Sequence, residues 1–175
     1  MVPEIVFVLS AAFSPGYVIP QQTPDPSITD VEAYAVYAVL IPQEYAVRMA
    51  PGKPVVLQRE TETYGACLPT GDPMNAEWKP VVENYKAENA TVRFVLPEKA
   101  LRLPYTVVPK ASIPKEAYVQ VSAVGFDPSK TKALAYVANY CGSLCGAGAY
   151  HFLEKVDGAW REVTLARIRT CSWES

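Results

Sequence analysis

Cysteine and histidine are the residue types in this chain with the clearest capacity for chemistry, and there are few of them. The 175 residues include four cysteines and one histidine, which are Cys67, Cys141, Cys145, Cys171 and His151. A thiolate beside an imidazole base can act as a nucleophile, four thiolates can hold zinc, and oxidised pairs form disulfides. The spacing of these residues therefore bears on function more directly than other patterns in the sequence.

The stretch CGSLCGAG, over residues 141–148, is the most distinctive pattern. Its glycines permit positive φ or close approach of another group to the backbone. They are Gly142, Gly146 and Gly148. The pattern predicts a tight turn between two strands, closed by a disulfide between Cys141 and Cys145. An alternative is a ligand-binding loop in which these glycines and His151 face an anion, although no GxxxxGK[ST] phosphate loop is present.

An even number of cysteines in a small chain favours an oxidising compartment and a disulfide framework. Four cysteines permit three pairings, and the simplest joins Cys141 to Cys145 and Cys67 to Cys171. The second bridge would close a loop of about one hundred residues, which in a chain-entropy treatment stabilises the fold by about 4–5 kcal/mol. The alternative is four reduced, buried thiols, as in a cytosolic protein.

Zinc binding and thiol catalysis both find less support in the spacing. A Cys₄ zinc site, with His151 as a substitute ligand, would gather cysteines from distant segments, and the usual second C-x-x-C is missing. A cysteine nucleophile with His151 as base also needs an orienting third group, for which Asn139 is a candidate. A lone histidine on a strand is more often a structural residue. We therefore predict neither a metal site nor a cofactor.

Carboxylates and tyrosines offer two further possibilities. Glu60 and Glu62 share one face of a predicted strand about 7 Å apart, which is compatible with a glycosidase pair, but such neighbours on an exposed strand are usually solvated. Tyrosine occurs eleven times against five phenylalanines. Most of these tyrosines should be core residues with a hydrated hydroxyl. A subset, including Tyr136, Tyr140 and Tyr150, could line a sheet and form a carbohydrate or peptide surface.

The composition excludes several classes of protein. Half of the residues are hydrophobic and 19% are charged, which excludes a disordered chain. A net charge of −2 argues against a dedicated nucleic-acid-binding protein, and no apolar run reaches the roughly 18 residues of a membrane span. Residues 1–90 hold 11 acids and 5 bases (−6), whereas residues 91–175 hold 7 acids and 11 bases (+4). This asymmetry favours ion pairing between the two halves; a basic sheet face for an acidic partner is the alternative.

Residues 1–27 differ in composition from the rest of the chain. The apolar run over residues 5–13 is similar to the hydrophobic segment of a secretory signal, but it lacks a basic flank. Four prolines follow within residues 14–27, which predicts an extended tether. A truncated signal and a first strand of the domain are both compatible with this segment.

Periodicity places two helices before most of the strands. Thr29-Asp30-Val31-Glu32 has the form of a capping box, so a helix should begin there and should end or kink at Pro42. A second amphipathic helix should end near Asn89, within a possible glycosylation sequon. Strands are predicted over residues 55–63, 91–96, 103–108, 118–126, 132–140, 149–156 and 160–165. Asp157-Gly158 is a two-residue hairpin signal.

These elements predict a single α+β domain over residues 28–175. We expect two N-terminal helices packed on one face of an antiparallel, meander-type sheet. A curved sheet wrapped on a helix, as in cystatin-like or NTF2-like domains, is one architecture of this kind.

Several short motifs of the C-terminal third recur together in a known group of sequences. They are Gly125-Phe126, Ala133-Leu134-Ala135-Tyr136-Val137, the 141–148 cysteine–glycine turn, and Gly158-Ala159-Trp160. Their order resembles an uncharacterised family of bacterial envelope or secreted proteins, over about residues 118–175. The resemblance implies a fold class and an exported location, and it implies no activity.

The expected function is that of a non-catalytic, secreted or periplasmic envelope domain, stabilised by disulfides, that binds a small ligand or a protein. The alternative is a hydrolase-like enzyme that uses the loop over residues 141–148 with His151. Neither expectation involves a nucleic acid or a membrane span.

Overall fold

The computed structural model describes residues 26–48, 55–63, 77–97, 105–115, 117–142, 144–164 and 172–174. Two α-helices and eight strands lie in these ranges. They are α1 (Val31–Arg48), β1 (Val55–Gln58), α2 (Lys79–Glu88), β2 (Tyr105–Val108), β3 (Tyr118–Val121), β4 (Gly125–Phe126), β5 (Lys132–Gly142), β6 (Cys145–Val156), β7 (Ala159–Val163) and β8 (Ser172–Glu174).

The eight strands form one mixed sheet. The main order is β2-β1-β3-β5-β6-β7, with β4 also paired to β5 and β8 also paired to β6. The β5–β6–β7 part is the predicted antiparallel meander. The sheet is mostly antiparallel, as predicted, and the domain is α+β, but β1 runs parallel to both β2 and β3. Because β1 also lies between the helices in sequence, the helices do not both precede the sheet.

The two helices pack on opposite faces of the sheet. Successive side chains of a strand point to opposite faces. The odd-numbered residues of β5 from 133 to 137 share a buried cluster with α1, and the even-numbered residues from 134 to 138 share another with α2. We call these sides the α1 face and the α2 face. The prediction that both helices cover one face was wrong. Apolar side chains point to both sides of β5, so each face of the sheet must be covered by other elements.

The first helix begins one residue later than the capping box predicts. Asp30, rather than Thr29, caps it, since the Asp30 carboxylate accepts a hydrogen bond of 3.0 Å from the Glu32 backbone N–H. The prediction was that the helix ends or kinks at Pro42; it does not end there but continues to Arg48. Leu40 lies in the turn that precedes the proline and is fully buried, so packing offsets the backbone hydrogen bond that the proline ring removes.

Side chains of α1 are bonded to the sheet at both ends of the α1 face. The carboxylate of Glu32 accepts hydrogen bonds from Lys155 Nζ at 2.7 Å and from Trp160 Nε1 at 2.8 Å. Both hydrogen bonds lower the pKa of Glu32, and the bond from Lys155 has a larger effect than the bond from Trp160. The buried hydroxyl of Tyr37 donates to the carbonyl oxygen of Ser122 at 2.7 Å. The helix therefore has a fixed position over the meander.

The second helix packs closely against β4. Trp78, just before the helix, and Val81, Val82 and Tyr85 within it are buried. A side chain at Gly125 would lie 2.5 Å from the backbone of Tyr85, so only glycine permits this approach. After the helix ends, the Asn89 side chain donates to the carbonyl oxygens of Tyr85 and Ala123 and accepts from the Ala123 backbone N–H, each at 2.9 Å.

Ion pairs join the acidic first half of the chain to the basic second half, as the charge asymmetry predicts. Lys155 pairs with Glu32 at 2.7 Å, Lys130 with Asp30 at 2.7 Å, and Lys132 with Glu77 at 2.7 Å. The partners of each pair are about fifty or more residues apart in sequence. The asymmetry therefore reflects contacts within the domain.

The predicted hairpin turn between β6 and β7 is present. Asp157 and Gly158 both have positive φ, of 51° and 77°, as a type I′ turn requires. The Asp127 carboxylate organises the turn before β5 by accepting hydrogen bonds from the backbone N–H groups of Ser129, Thr131 and Lys132. Burial raises the pKa of Asp127, but these bonds and that of the Ser129 hydroxyl outweigh it and bring the value to about 2.

Candidate functional site

Three aromatic side chains form a row on the α2 face. Tyr118 of β3 and Tyr140 of β5 are directly opposite in the register, and their rings stack at 4.6 Å between centroids with an interplanar angle of 12°. The Trp173 indole of β8 follows at 5.5 Å from the Tyr140 ring. All three side chains are half-buried, so each keeps some surface in contact with water. We call Tyr118, Tyr140 and Trp173 the aromatic row.

Two glycines of β6 make room for the indole. Trp173 pairs with Gly148 in the register of β8 on β6. A Cβ atom at Gly148 would lie 2.6 Å from the indole Nε1, and one at Gly146 would lie 2.9 Å from the indole Cη2. Both distances are shorter than non-bonded carbon contacts allow. The glycines of the cysteine–glycine stretch thus form the surface on which Trp173 rests, and the indole N–H donates a hydrogen bond of 2.8 Å to the Tyr136 hydroxyl.

The structure separates the residues that the sequence suggested as a ligand loop. Gly142 lies at the end of the β5–β6 hairpin with φ of 138°. Gly146 and Gly148 lie within β6 and are opposite Tyr140 and Ala138, on the α2 face. His151 is opposite Ala135, and so it lies on the α1 face. These four residues therefore do not line one common surface.

A charged pair lies beside the tyrosines of the row. Lys110 Nζ donates to Glu62 Oε1, and Gln120 Nε2 donates to Glu62 Oε2 at 3.1 Å. Gln120 is buried and also donates to the Gln58 side-chain oxygen at 3.0 Å. Glu62 is thus held in place by two donors while 31% of its side chain stays exposed.

The charged pair of Glu62 and Lys110 and the tyrosines of the row are close enough to affect each other's pKa values. Burial, and then the negative charge of Glu62, raise the pKa of Tyr118. Burial raises the pKa of Tyr140 to about 12, with smaller contributions from neighbouring tyrosines and from Glu62. The hydrogen bond to Glu62 raises the pKa of Lys110. At neutral pH, both tyrosines are therefore protonated and can donate hydrogen bonds, while Lys110 keeps its charge opposite Glu62.

Cys141 and Cys145 form a disulfide at the end of the β5–β6 hairpin. Their Cα atoms are 5.0 Å apart, which lies within the usual range for a bridged pair. The bridge directly follows Tyr140 and directly precedes Gly146, so it closes the hairpin formed by β5, which carries Tyr140, and β6, whose glycines contact Trp173. Cys67 and Cys171, predicted to form the second bridge, lie outside the described residues.

His151 has a partner on the α1 face. Its Nδ1 lies 2.7 Å from Glu162 Oε1 of β7. This hydrogen bond to His151 lowers the pKa of Glu162. The imidazole is buried and lies six residues along β6 from Cys145, roughly 20 Å at the rise of a strand, and both sulfurs of the hairpin disulfide are already bonded to each other. The arrangement does not supply a thiolate beside a base.

The two carboxylates considered as a glycosidase pair are both bonded to Lys110. Its backbone N–H donates to Glu60 Oε2 at 2.7 Å, while its Nζ donates to Glu62. Burial raises the pKa of Glu60, but hydrogen bonds from Arg59 and from the Lys110 backbone outweigh it, and the net pKa is lowered. A general acid requires a raised pKa, so Glu60 is unsuited to that role.

A groove of about 410 Å³ lies where the start of α1, α2 and the segment 123–130 meet. This volume is within the range of small-molecule sites. Four of its five charged residues form ion pairs, Asp30 with Lys130 at 2.7 Å and Arg93 with Glu88 at 3.3 Å, and the fifth, Asp127, is bonded to backbone N–H groups. A ligand there would have to compete with these ion pairs, whereas the aromatic row offers exposed ring surface directly.

Comparisons with known proteins leave the site to be interpreted from its geometry. No protein-family model, curated protein or solved structure matches this chain. Within the described ranges, no three His, Cys, Asp or Glu side chains converge as metal ligands would. No helix in that part of the chain has the length and hydropathy needed to cross a membrane.

Sequence reasoning identified part of the aromatic row and missed the rest. Tyr140 was among the tyrosines suggested for a binding surface, whereas Tyr118 and Trp173 were not. The alternation of the predicted 118–126 strand places Tyr118 on one side of it, but only the register shows that Tyr140 is its neighbour. Trp173 reaches the row through the pairing of β8 with β6, which the sequence does not encode locally.

Proposed function

We propose that this protein is a non-catalytic binding domain, and that it holds a small ligand on the aromatic row. The observation that carries the proposal is the juxtaposition of three half-buried rings with the Glu62–Lys110 pair. Aromatic surface with a few fixed polar groups is the usual composition of a small-molecule site. The alternative within this proposal is that the same surface binds a protein partner.

Binding is favoured over catalysis by the state of the reactive groups. The hairpin cysteines are bonded to each other, and the imidazole of His151 lies six residues further along β6 and is bonded to Glu162. The hydrolase-like alternative therefore receives no support from this geometry.

We further propose that the domain is exported, to the cell envelope or outside the cell. The Cys141–Cys145 disulfide supports this location, because disulfides persist in oxidising compartments. The finer architecture, a cystatin-like or NTF2-like sheet curved around a helix, is also a proposal, and the packing of α1 over β5 and β7 is compatible with it. Alkylation of thiols in intact cells tests the location: a disulfide that resists alkylation until reductant is added supports export, and free thiols contradict it.

A ligand-observed nuclear magnetic resonance screen tests the binding function without assuming a ligand class. The purified protein is mixed with pools of neutral oligosaccharides, amino acids, nucleosides and quaternary ammonium compounds, and saturation transfer to each compound is measured. We expect transfer to at least one class and its loss in Tyr140→Ala. Tyr140→Phe keeps the ring and should retain part of the signal.

Val31→Ala is the matched control for this screen. Val31 is 69% exposed on α1, on the opposite side of the sheet from the row. Its substitution should change neither folding nor binding. Transfer that survives in a folded Tyr140→Ala protein, or the absence of transfer from every pool, would contradict the proposal.

A further inference from the structure

We propose that the ligand of the aromatic row is a neutral oligosaccharide, bound through the C–H face of a pyranose ring to the row and through its hydroxyls to Glu62 and Lys110. This inference rests on the proposed binding function and adds the chemical class of the ligand.

The row supplies the apolar half of such a site. A pyranose with equatorial hydroxyls presents a face of C–H groups, which packs on aromatic rings as other apolar surface does. The stacked Tyr118–Tyr140 pair, with centroids 4.6 Å apart, is stiff because each ring restricts the other. Trp173 is held in place by packing directly on Gly146 and Gly148 and by its hydrogen bond to Tyr136. Rigid aromatic surface loses little side-chain entropy when a ligand binds.

The polar side chains next to the row supply the hydrogen-bonding half. Glu62 offers carboxylate lone pairs and Lys110 offers N–H donors, and their side chains are 31% and 64% exposed. A sugar hydroxyl both donates and accepts, so adjacent hydroxyls can engage these two groups together. Gln120 is buried and orients Glu62 by donating a hydrogen bond to its carboxylate, so Gln120 acts as a positioning residue.

The charge balance selects a neutral ligand. Aromatic groups beside a carboxylate also suit quaternary ammonium ions. Here, however, the positive charge of Lys110 is bonded to Glu62 and opposes the entry of a cation. An anion would likewise meet the carboxylate of Glu62. Neutral hydroxyls avoid both repulsions and keep the ion pair intact.

Calorimetric titration with cellohexaose, a neutral β-linked glucose oligomer, tests the ligand class. Its equatorial hydroxyls leave the C–H faces free for stacking. We expect binding that Tyr140→Ala weakens about tenfold, or about 1.4 kcal/mol, because the variant removes the central ring of the row on which the sugar packs. Glu62→Gln should weaken it about threefold or more, because the charge-assisted hydrogen bond is lost. Tyr118→Ala is the second ring variant, should Tyr140→Ala not fold.

The salt dependence separates a neutral ligand from a charged one. Affinity for cellohexaose should be constant from about 0.05 to 0.5 M salt, because screening acts only on charged ligands. Val31→Ala should bind as the wild type does. Phosphocholine is titrated in parallel as a quaternary ammonium probe.

Three outcomes would overturn the inference. The first is no heat change with cellohexaose while the ligand pools still give saturation transfer that depends on Tyr140, which refutes the sugar and leaves the binding function in place. The second is tighter binding of phosphocholine than of cellohexaose. The third is the absence of both saturation transfer and sugar binding, which refutes the binding function together with the ligand class.

Discussion

The indole N–H of Trp173 donates a hydrogen bond of 2.8 Å to the hydroxyl of Tyr136. Trp173 lies in β8, and Tyr136 lies in β5, the first strand of the meander. The bond crosses the α2 face above Gly148, where no side chain intervenes. It links the aromatic row to the buried cluster under α2, because Tyr136 belongs to that cluster. The stability of the row and that of the core are therefore coupled.

Gly148→Ala should displace the indole. Its new methyl group would overlap both Trp173 Nε1 and the Tyr136 hydroxyl, so one ring must move. We expect a red shift of tryptophan fluorescence and a loss of stability of about 1–3 kcal/mol, which is typical of overpacking. Gly146→Ala should have a smaller effect, because its closest contact is the edge of the indole. Equal, negligible effects in chemical unfolding would contradict this account of the glycines.

Asn89→Ala should destabilise the junction between α2 and the β3–β4 connection. The change leaves the Tyr85 and Ala123 carbonyls and the Ala123 N–H without this partner, at a cost of about 1–3 kcal/mol. Asn89→Asp should be at least as harmful, because a carboxylate would then face two carbonyl oxygens. Urea unfolding measures both variants. A stable Asn89→Asp protein would show that the amide donors contribute little.

The same geometry bears on the sequon that begins at Asn89. Its Nδ2 donates to two carbonyl oxygens in the folded domain. A glycan attached to that nitrogen would replace one of its two hydrogens, so at least one of these bonds would be lost and the sugar would clash with the carbonyl that accepted it. We therefore expect the intact mass of protein secreted from a glycosylating host to show no sugar at this position; an occupied site would contradict the prediction.

Glu32→Ala should loosen α1 from the β6–β7 hairpin. The variant removes the acceptor of both Lys155 and Trp160, and we expect a loss of about 1–3 kcal/mol in the free energy of unfolding. Glu32→Gln keeps an acceptor for the indole and should lose less. Glu83→Ala is the control, since its exposed pair with Lys86 should contribute less than about 0.5 kcal/mol. Equal losses for Glu32→Ala and Glu83→Ala would contradict the assigned role.

Glu162 should make the stability of the domain depend on pH. Its pKa is lowered in the folded protein by its hydrogen bond to His151. A lowered carboxyl pKa stabilises the fold above the unfolded value of 4.5, and this contribution is lost as the pH falls through the folded value. Glu162→Gln should therefore show a smaller fall in Tm than the wild type between neutral pH and about pH 3. Identical falls in Tm for the two proteins would indicate that the Glu162–His151 pair does not contribute to the pH dependence of stability.

Much of the fold follows from local patterns in the sequence. The hairpin at Asp157-Gly158, the long strand around Tyr136 and the buried residues of α2 each have a signal confined to a few neighbours. Turn chemistry and periodicity act at that range, so such elements are predictable. The helix does not end at Pro42, one of the two predicted outcomes, because tertiary packing of the preceding turn outweighs a local preference.

The placement of elements relative to each other was less predictable. The parallel pairing of β1 with β3 and the position of α1 and α2 on opposite faces depend on residues far apart in sequence. The same limit applies to the aromatic row, whose members come from three strands. The cysteine–glycine stretch indicated the region of the aromatic row, but the contact of Gly146 and Gly148 with the Trp173 indole depends on β8 and could not be predicted from that stretch.

The indole region of a proton–nitrogen correlation spectrum gives the most direct test of the aromatic row as the ligand site. The chain has three tryptophans, so three indole N–H signals are expected, and Trp173→Phe identifies one of them. When cellohexaose or a pool that shows saturation transfer is added, the Trp173 signal should shift. The Trp160 signal, whose N–H is bonded to Glu32 on the α1 face, should stay in place. A ligand that binds while the Trp173 signal does not move would contradict the account.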